Sequence, residues 1–239
     1  MVKVQPAWFV TWGLIAILII VVLTTAAPAA ATAVSTVAST ATPVKTTASS
    51  VGNFPDKIEK WRGTVETACK DIELDTKWVD TILAMMQAES GGNTGIYSVR
   101  GVSRDIMQAA EGCAGTNAGK RDVIEKGSSA LAAWGYSPSI NFDGETCTAS
   151  IYAGALETKQ NVELWEGWLG PIDVNDTDLV AQIAQGYNYG ADGWFAYCHR
   201  NGIKDWDYAD SKYYSGAIGG GTANHGAKVV TFYSAGRSA

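Results

Sequence analysis

Residues 82–93, ILAMMQAESGGN, run an apolar helical stripe into a carboxylate and then break on two glycines. In the wider stretch LDTKWVDTILAMMQAESGG, Trp78, Val79, Ile82, Met85 and Met86 share one face at helical spacing. Asp75 is placed to cap the start, and Gly91 and Gly92 end the helix. Glu89 follows Met86 by three residues and Ile82 by seven, so it continues the buried face. A carboxylate at the rim of an apolar face loses solvation, which disfavours its ionised form and raises its pKa, as a general acid requires. The alternative is an exposed Glu at the end of an ordinary helix, the usual setting of a charged residue.

Working outward, FPDKIEKWRGTVETACKDIEL places Ile58, Trp61, Val65, Ala68, Cys69 and Ile72 on one face of a first amphipathic helix, with Pro55 and Asp56 at its start. From Asn93 to about Thr146 the periodicity dissolves into Gly, Ser, Asn and Asp, apart from a short helical piece over Ser128 to Trp134. Helical patterns return at TASIYAGALETKQNVELWEGWLG, with Ile151, Ala155 and Val162 inward, and at DTDLVAQIAQGYNYG, with Leu179, Val180, Ile183 and Tyr187 inward. DGWFAYCHRNG gives a further helix stopped by Asn201 and Gly202, and HGAKVVTFYS a last short one. The expected class is mainly α, without internal repeats.

A chain of 239 residues, 46% hydrophobic, suits one domain with appendages. Its net charge of −6 offers no basic stripe to displace counterions from phosphates, which argues against a nucleic-acid partner. Residues 1–29 carry Lys3 and an apolar run from Ala7 to about Leu23, read as a membrane anchor or a signal peptide. Lys3 keeps the N-terminus inside and sends the rest across the membrane, giving an extracytoplasmic protein, anchored or secreted. Residues 30–53, almost all Ala, Thr, Ser and Val, read as a disordered tether to a domain over residues 54–239.

Four cysteines, Cys69, Cys113, Cys147 and Cys198, suit two disulfides in an exported domain. Three pairings are open; the one favoured here joins Cys113 to Cys147 and Cys69 to Cys198. No Cys-x-x-Cys occurs and the histidines are His199 and His225, both expected on the surface, so no metal or other cofactor is expected.

Three blocks, QAESGG at 87–92, SRDIMQAAEG at 103–112 and IAQGYNYGADGW at 183–194, together resemble the lysozyme-like superfamily that includes goose-type lysozymes and soluble lytic transglycosylases. Within it they are most similar to the N-terminal muramidase domain of bifunctional cell-wall hydrolases from Gram-positive conjugative elements and phages. The resemblance spans roughly residues 56 to 234 and implies a lysozyme-like helical domain with a cleft. It makes Glu89 the catalytic acid and Asp105, Met107 and Gln108 the cleft turn, with Ser150 and Ile151 on the next helix. Gln185, Tyr187, Asn188 and Tyr189 form the wall opposite the acid, where Tyr187 reaches toward Glu89; Ser90 joins the substrate contacts. Ile106 stands where the family has proline, and the four cysteines are additional to its pattern.

The implied activity is hydrolysis of the β-1,4 bond between N-acetylmuramic acid and N-acetylglucosamine in a peptidoglycan strand, for wall opening in conjugation or secretion, or for remodelling. Conjugative secretion machinery is the implied partner. Two alternatives stay open: a lytic transglycosylase on the same bond, and an inactive glycan-binding or secretion scaffold. A hydrolase needs a second carboxylate, about 5–5.5 Å from the acid if retaining and about 6.5–9.5 Å if inverting. Asp105 is the first candidate and Glu111 the second, the alternative for Asp105 being a turn residue that caps backbone. Nine tryptophans and ten tyrosines supply stacking surfaces for sugar rings, although most of Trp134, Tyr136, Trp165, Trp168, Tyr187, Tyr189 and Trp194 are expected in the core.

Overall fold

The computed structural model of the protein describes residues 53–96, 103–110 and 118–238. The N-terminal apolar run, the tether up to residue 52, Glu111 and Cys113 lie outside the described residues. Among the described residues no helix is long and apolar enough to cross a membrane.

The chain is mainly helical. Its elements are α1 (Asp56–Glu59), α2 (Arg62–Asp71), α3 (Val79–Glu89), the strand pair β1 (Ser103–Arg104) and β2 (Ala109–Ala110), α4 (Ala118–Lys126), α5 (Ser128–Ala133), α6 (Thr146–Leu169), α7 (Thr177–Tyr189), α8 (Ala191–Asn201), α9 (Tyr208–Ile218) and α10 (His225–Arg237). The two strands are antiparallel, with Ser103 opposite Ala110 and Arg104 opposite Ala109.

The axis is α6, whose 24 residues span about 36 Å at 1.5 Å per residue. Every residue from Thr148 to Thr158 is buried, so neighbours enclose this helix on all sides rather than along one stripe. It packs against α2, α4, α7 and α8, while α10 closes over α3 and α7.

The opening stretch folds as its pattern dictates. Asp75 accepts the Lys77 N–H at 2.9 Å and caps a 3-10 turn, Thr76–Trp78, that runs directly into α3. Ile82, Leu83, Met85 and Met86 are fully buried, each contributing about 2–3 kcal/mol of apolar burial.

Other expectations need correction. The first amphipathic helix is broken in two at Lys60 and Trp61, where Trp61 N–H bonds the Ile58 carbonyl three residues back at 3.0 Å. The bend sets Arg62 between Glu59 and Asp80 of α3, with Nη1 donating to Asp80 Oδ1 at 2.8 Å. The irregular middle contains α4, whose described inward apolar residues, Val123 and Ile124, are too few to carry a period. Helix α9 also escaped the pattern: it is capped by Asp207, and its buried residue is Ser211.

The favoured cysteine pairing is not formed. Cys69 on α2 and Cys198 on α8 are free and buried, on two helices that both pack against α6. Burial pushes each thiol up to about 12, and Cys198 Sγ faces Gln182 Oε1 at 3.9 Å. Cys147 is a free thiol as well, and its expected partner Cys113 lies outside the described residues.

Candidate functional site

Glu89 is the last residue of α3, and its side chain keeps 15% of its exposure. Burial raises its carboxyl from the usual 4.5 to about 7; Lys228 pulls it down and the nearby Glu157 carboxylate pushes it further up. Such a group holds a proton near neutrality and can release it to an acceptor that enters the site. The residues that end the helix have structural duties. Ser90 Oγ donates to the Met86 carbonyl at 3.2 Å and accepts the Gly92 N–H at 3.0 Å, so the hydroxyl expected among the substrate contacts closes the helix end. Gly92 has φ of +77°, and a Cβ there would meet the Lys57 carbonyl oxygen at 2.7 Å. Its bareness thus serves the approach of α1.

The turn at 105–108 is strained in backbone and rich in bonds. Asp105 and Gln108 adopt φ of +57° and +46°, uncommon for residues with a Cβ. Asp105 is buried and accepts from Gly95 N–H at 3.2 Å, Thr146 Oγ1 at 2.7 Å and Cys147 Sγ at 3.2 Å. Gln108 Nε2 donates to the Ile96 and Asp105 carbonyls at 2.9 and 2.7 Å. These bonds favour the capping role of Asp105 over catalysis, because both carboxylate oxygens already hold the turn in place. Met107 N–H donates to Ser150 Oγ at 3.1 Å, fastening the turn to α6.

Tyr187 joins the blocks. Its hydroxyl donates to the Met107 carbonyl at 2.7 Å, and the carboxyls of Glu89 and Glu157 add to burial in keeping the phenol protonated. The structure therefore brings Glu89, Met107 and Tyr187 together, although the tyrosine hydroxyl is aimed at the turn. The rest of the QGYNYG block faces α9 and α10. Gln185 donates to the Thr222 carbonyl at 2.9 Å and accepts from Gly226 N–H at 3.0 Å. Asn188 Oδ1 accepts from Thr222 N–H at 2.6 Å, and Tyr189 Oη donates to the Ser211 carbonyl at 2.9 Å. Expected as substrate contacts, these three side chains secure the glycine-rich loop before α10 and the helix α9. Trp165 and Trp194 are core residues, whereas Trp134 is exposed.

Three residues near Glu89 were missed. Glu157 on α6 is 5% exposed, in a helix with no solvated face along that stretch; a carboxylate amid TASIYAGALETKQN was the available signal. His225, expected on the surface, is buried at the first position of α10, with Nε2 3.4 Å from Glu89 Oε1. Lys228, one turn later, donates to the Ala88 carbonyl at 2.6 Å. Both come from the helix that closes over α3, a contact no local pattern announces. Among the described residues no cluster of three or more His, Cys, Asp or Glu could hold a metal ion. Neither a protein-family model nor a curated protein matches the chain.

Proposed function

We propose that the chain is a peptidoglycan-cleaving glycosidase with a lysozyme-like helical domain, in which Glu89 protonates the β-1,4 bond between N-acetylmuramic acid and N-acetylglucosamine. The observation that carries this reading is the carboxyl of Glu89, held protonated to about 7 by burial at the end of α3. Proton delivery to the glycosidic oxygen releases the leaving sugar, and water attacks the anomeric carbon to complete an N-acetylmuramidase reaction. The ordered resemblance of the QAESGG, DIMQ and QGYNYG blocks supports the substrate class. The apolar N-terminal run supports an extracytoplasmic, membrane-anchored or secreted enzyme acting in local wall opening beside a conjugative secretion apparatus.

A lytic transglycosylase acting on the same bond gains support from Asp105, whose carboxylate oxygens are engaged by Gly95, Thr146 and Cys147 and are poorly placed to activate water. In that reaction the substrate's own hydroxyl attacks. Purified sacculi digested with the protein and analysed by mass spectrometry decide between the two: the hydrolase product carries one more water than the transglycosylase product. Glu89→Gln keeps the shape and removes the donor, and an undiminished rate in that variant would sink the assignment of Glu89.

A further inference from the structure

His225 occupies a position that neither a surface histidine nor a simple core residue explains. Its Nε2 is fully buried and has no hydrogen-bond partner among the described residues, yet it stands 3.4 Å from Glu89 Oε1. An unpaired buried nitrogen is costly, and the group it faces is the carboxyl whose proton the proposed reaction uses. The backbone that carries the ring is held in place. The His225 backbone N–H bonds the Thr222 carbonyl at 3.1 Å, and Thr222 is itself gripped by Gln185 and Asn188. A Cβ on the next residue, Gly226, would lie 2.5 Å from the Ala181 carbonyl, so the start of α10 is pressed against α7. Lys228 ties the same helix to the end of α3 through the Ala88 carbonyl.

We propose that His225 is a positioning residue for Glu89: the neutral imidazole offers its Nε2–H to Oε1, leaving Oε2 to carry the proton that is delivered. This rests on the reading of Glu89 as the proton donor. The charged and titratable groups around the pair are Lys228 on α10, Glu157 on α6 and Tyr187 on α7. Burial, reinforced by Lys228, lowers the imidazole to about 4, so it stays neutral where Glu89 is still protonated. A protonated ring would instead hold Glu89 as a carboxylate and disarm it. When Oε2 gives its proton to the glycosidic oxygen, the C–O bond breaks and its electron pair leaves with that oxygen. Negative charge then appears on the carboxylate beside a donor already in place, and the contact closes to a full hydrogen bond. Glu89 recovers a proton from the attacking water or hydroxyl, whose oxygen forms the new bond to the anomeric carbon. His225 neither gains nor loses one.

The decisive measurement needs no substrate. In full-length protein labelled with nitrogen-15 and carbon-13, the imidazole nitrogen shifts report the tautomer of His225, and the carboxyl carbon of Glu89 reports its titration. The expected result is a neutral ring protonated at Nε2. His225→Leu, which keeps water out but removes the donor, should move the Glu89 midpoint up by about one pH unit, while His225→Gln keeps it near the wild-type value. On sacculi, His225→Leu should lower kcat roughly tenfold with little change in KM and carry the basic limb of the pH profile upward; His225→Gln should restore both. A neutral ring protonated at Nδ1 alone would overturn the proposal even if the leucine variant fails to fold, as would a Glu89 midpoint unchanged or lowered by leucine. If the wild-type protein cleaves no wall while tautomer and titration behave as expected, the reading of function fails and the pairing of His225 with Glu89 stands.

Discussion

Two carboxyl groups, at the end of α3 and in the turn before β2, have lost most of their water, yet their surroundings differ. Asp105 receives donors from Gly95, Thr146 and Cys147 and holds a turn with positive φ at both ends. Glu89 is largely buried at the end of α3, with a neutral imidazole beside it and a second carboxylate near enough to raise its pKa. Burial alone therefore does not assign a role. The partners do: three donors make a clamp, whereas burial beside a nearby negative charge makes a reservoir for one proton.

Exchanging these partners tests the contrast. The largest effect should come from Glu89→Gln, expected to slow wall cleavage by about 10²–10⁴-fold in a turbidity assay while the protein stays folded. Asp105→Asn should leave most of the activity if the clamp reading holds; a loss as deep as that of Glu89→Gln in a folded protein would restore Asp105 to catalysis.

The next effect is on stability and follows pH. The folded-state pKa of Glu89 lies above its unfolded value, so the proton it binds favours the fold fully below about 4.5, and that contribution is lost as pH rises through about 7. Above that pH, Glu89→Gln should exceed the wild type by about 3 kcal/mol in urea unfolding, and the two should converge in acid. Cleavage should fall over the same upper range, as the donor loses its proton.

Removing the clamp comes third. Asp105→Ala removes the acceptor of three hydrogen bonds and should cost about 2–3 kcal/mol, at roughly 1 kcal/mol per bond, read as a lower urea midpoint with m unchanged. Smallest is Ser90→Ala, which removes two hydrogen bonds at the end of α3 and should cost about 1–2 kcal/mol by the same measurement.

The clearer half of this contrast was legible in the sequence. Met86, Ile82 and Glu89 share a helical face, and because period and cap are local properties, α3 and the Asp75-capped turn that leads into it could be read without any tertiary information. The clamp was readable only as an alternative, since Asp105 suits a turn and a catalytic site equally well until Thr146 and Cys147 are brought beside it. Helix α9 was invisible because its buried residue is a serine, held by the Ala223 carbonyl rather than by apolar packing. The surroundings of Glu89 were out of reach for a different reason. Glu157, His225 and Lys228 arrive from α6 and α10, and their meeting depends on how those helices cross α3. The Gln and Asn of QGYNYG stood out in the sequence as candidate substrate contacts; their bonds to Thr222, which tie them to the segment that delivers His225, needed the fold.

That delivery comes late. Helix α10 is the last described element to leave the ribosome, and it supplies both the imidazole and the ammonium beside Glu89. Its docking on α3 covers the end of that helix and helps withdraw Glu89 from the water that keeps a surface glutamate acidic. A chain in which α10 is displaced from α3 would lack both side chains beside Glu89, so the acidity of Glu89 reports on the docking of that helix.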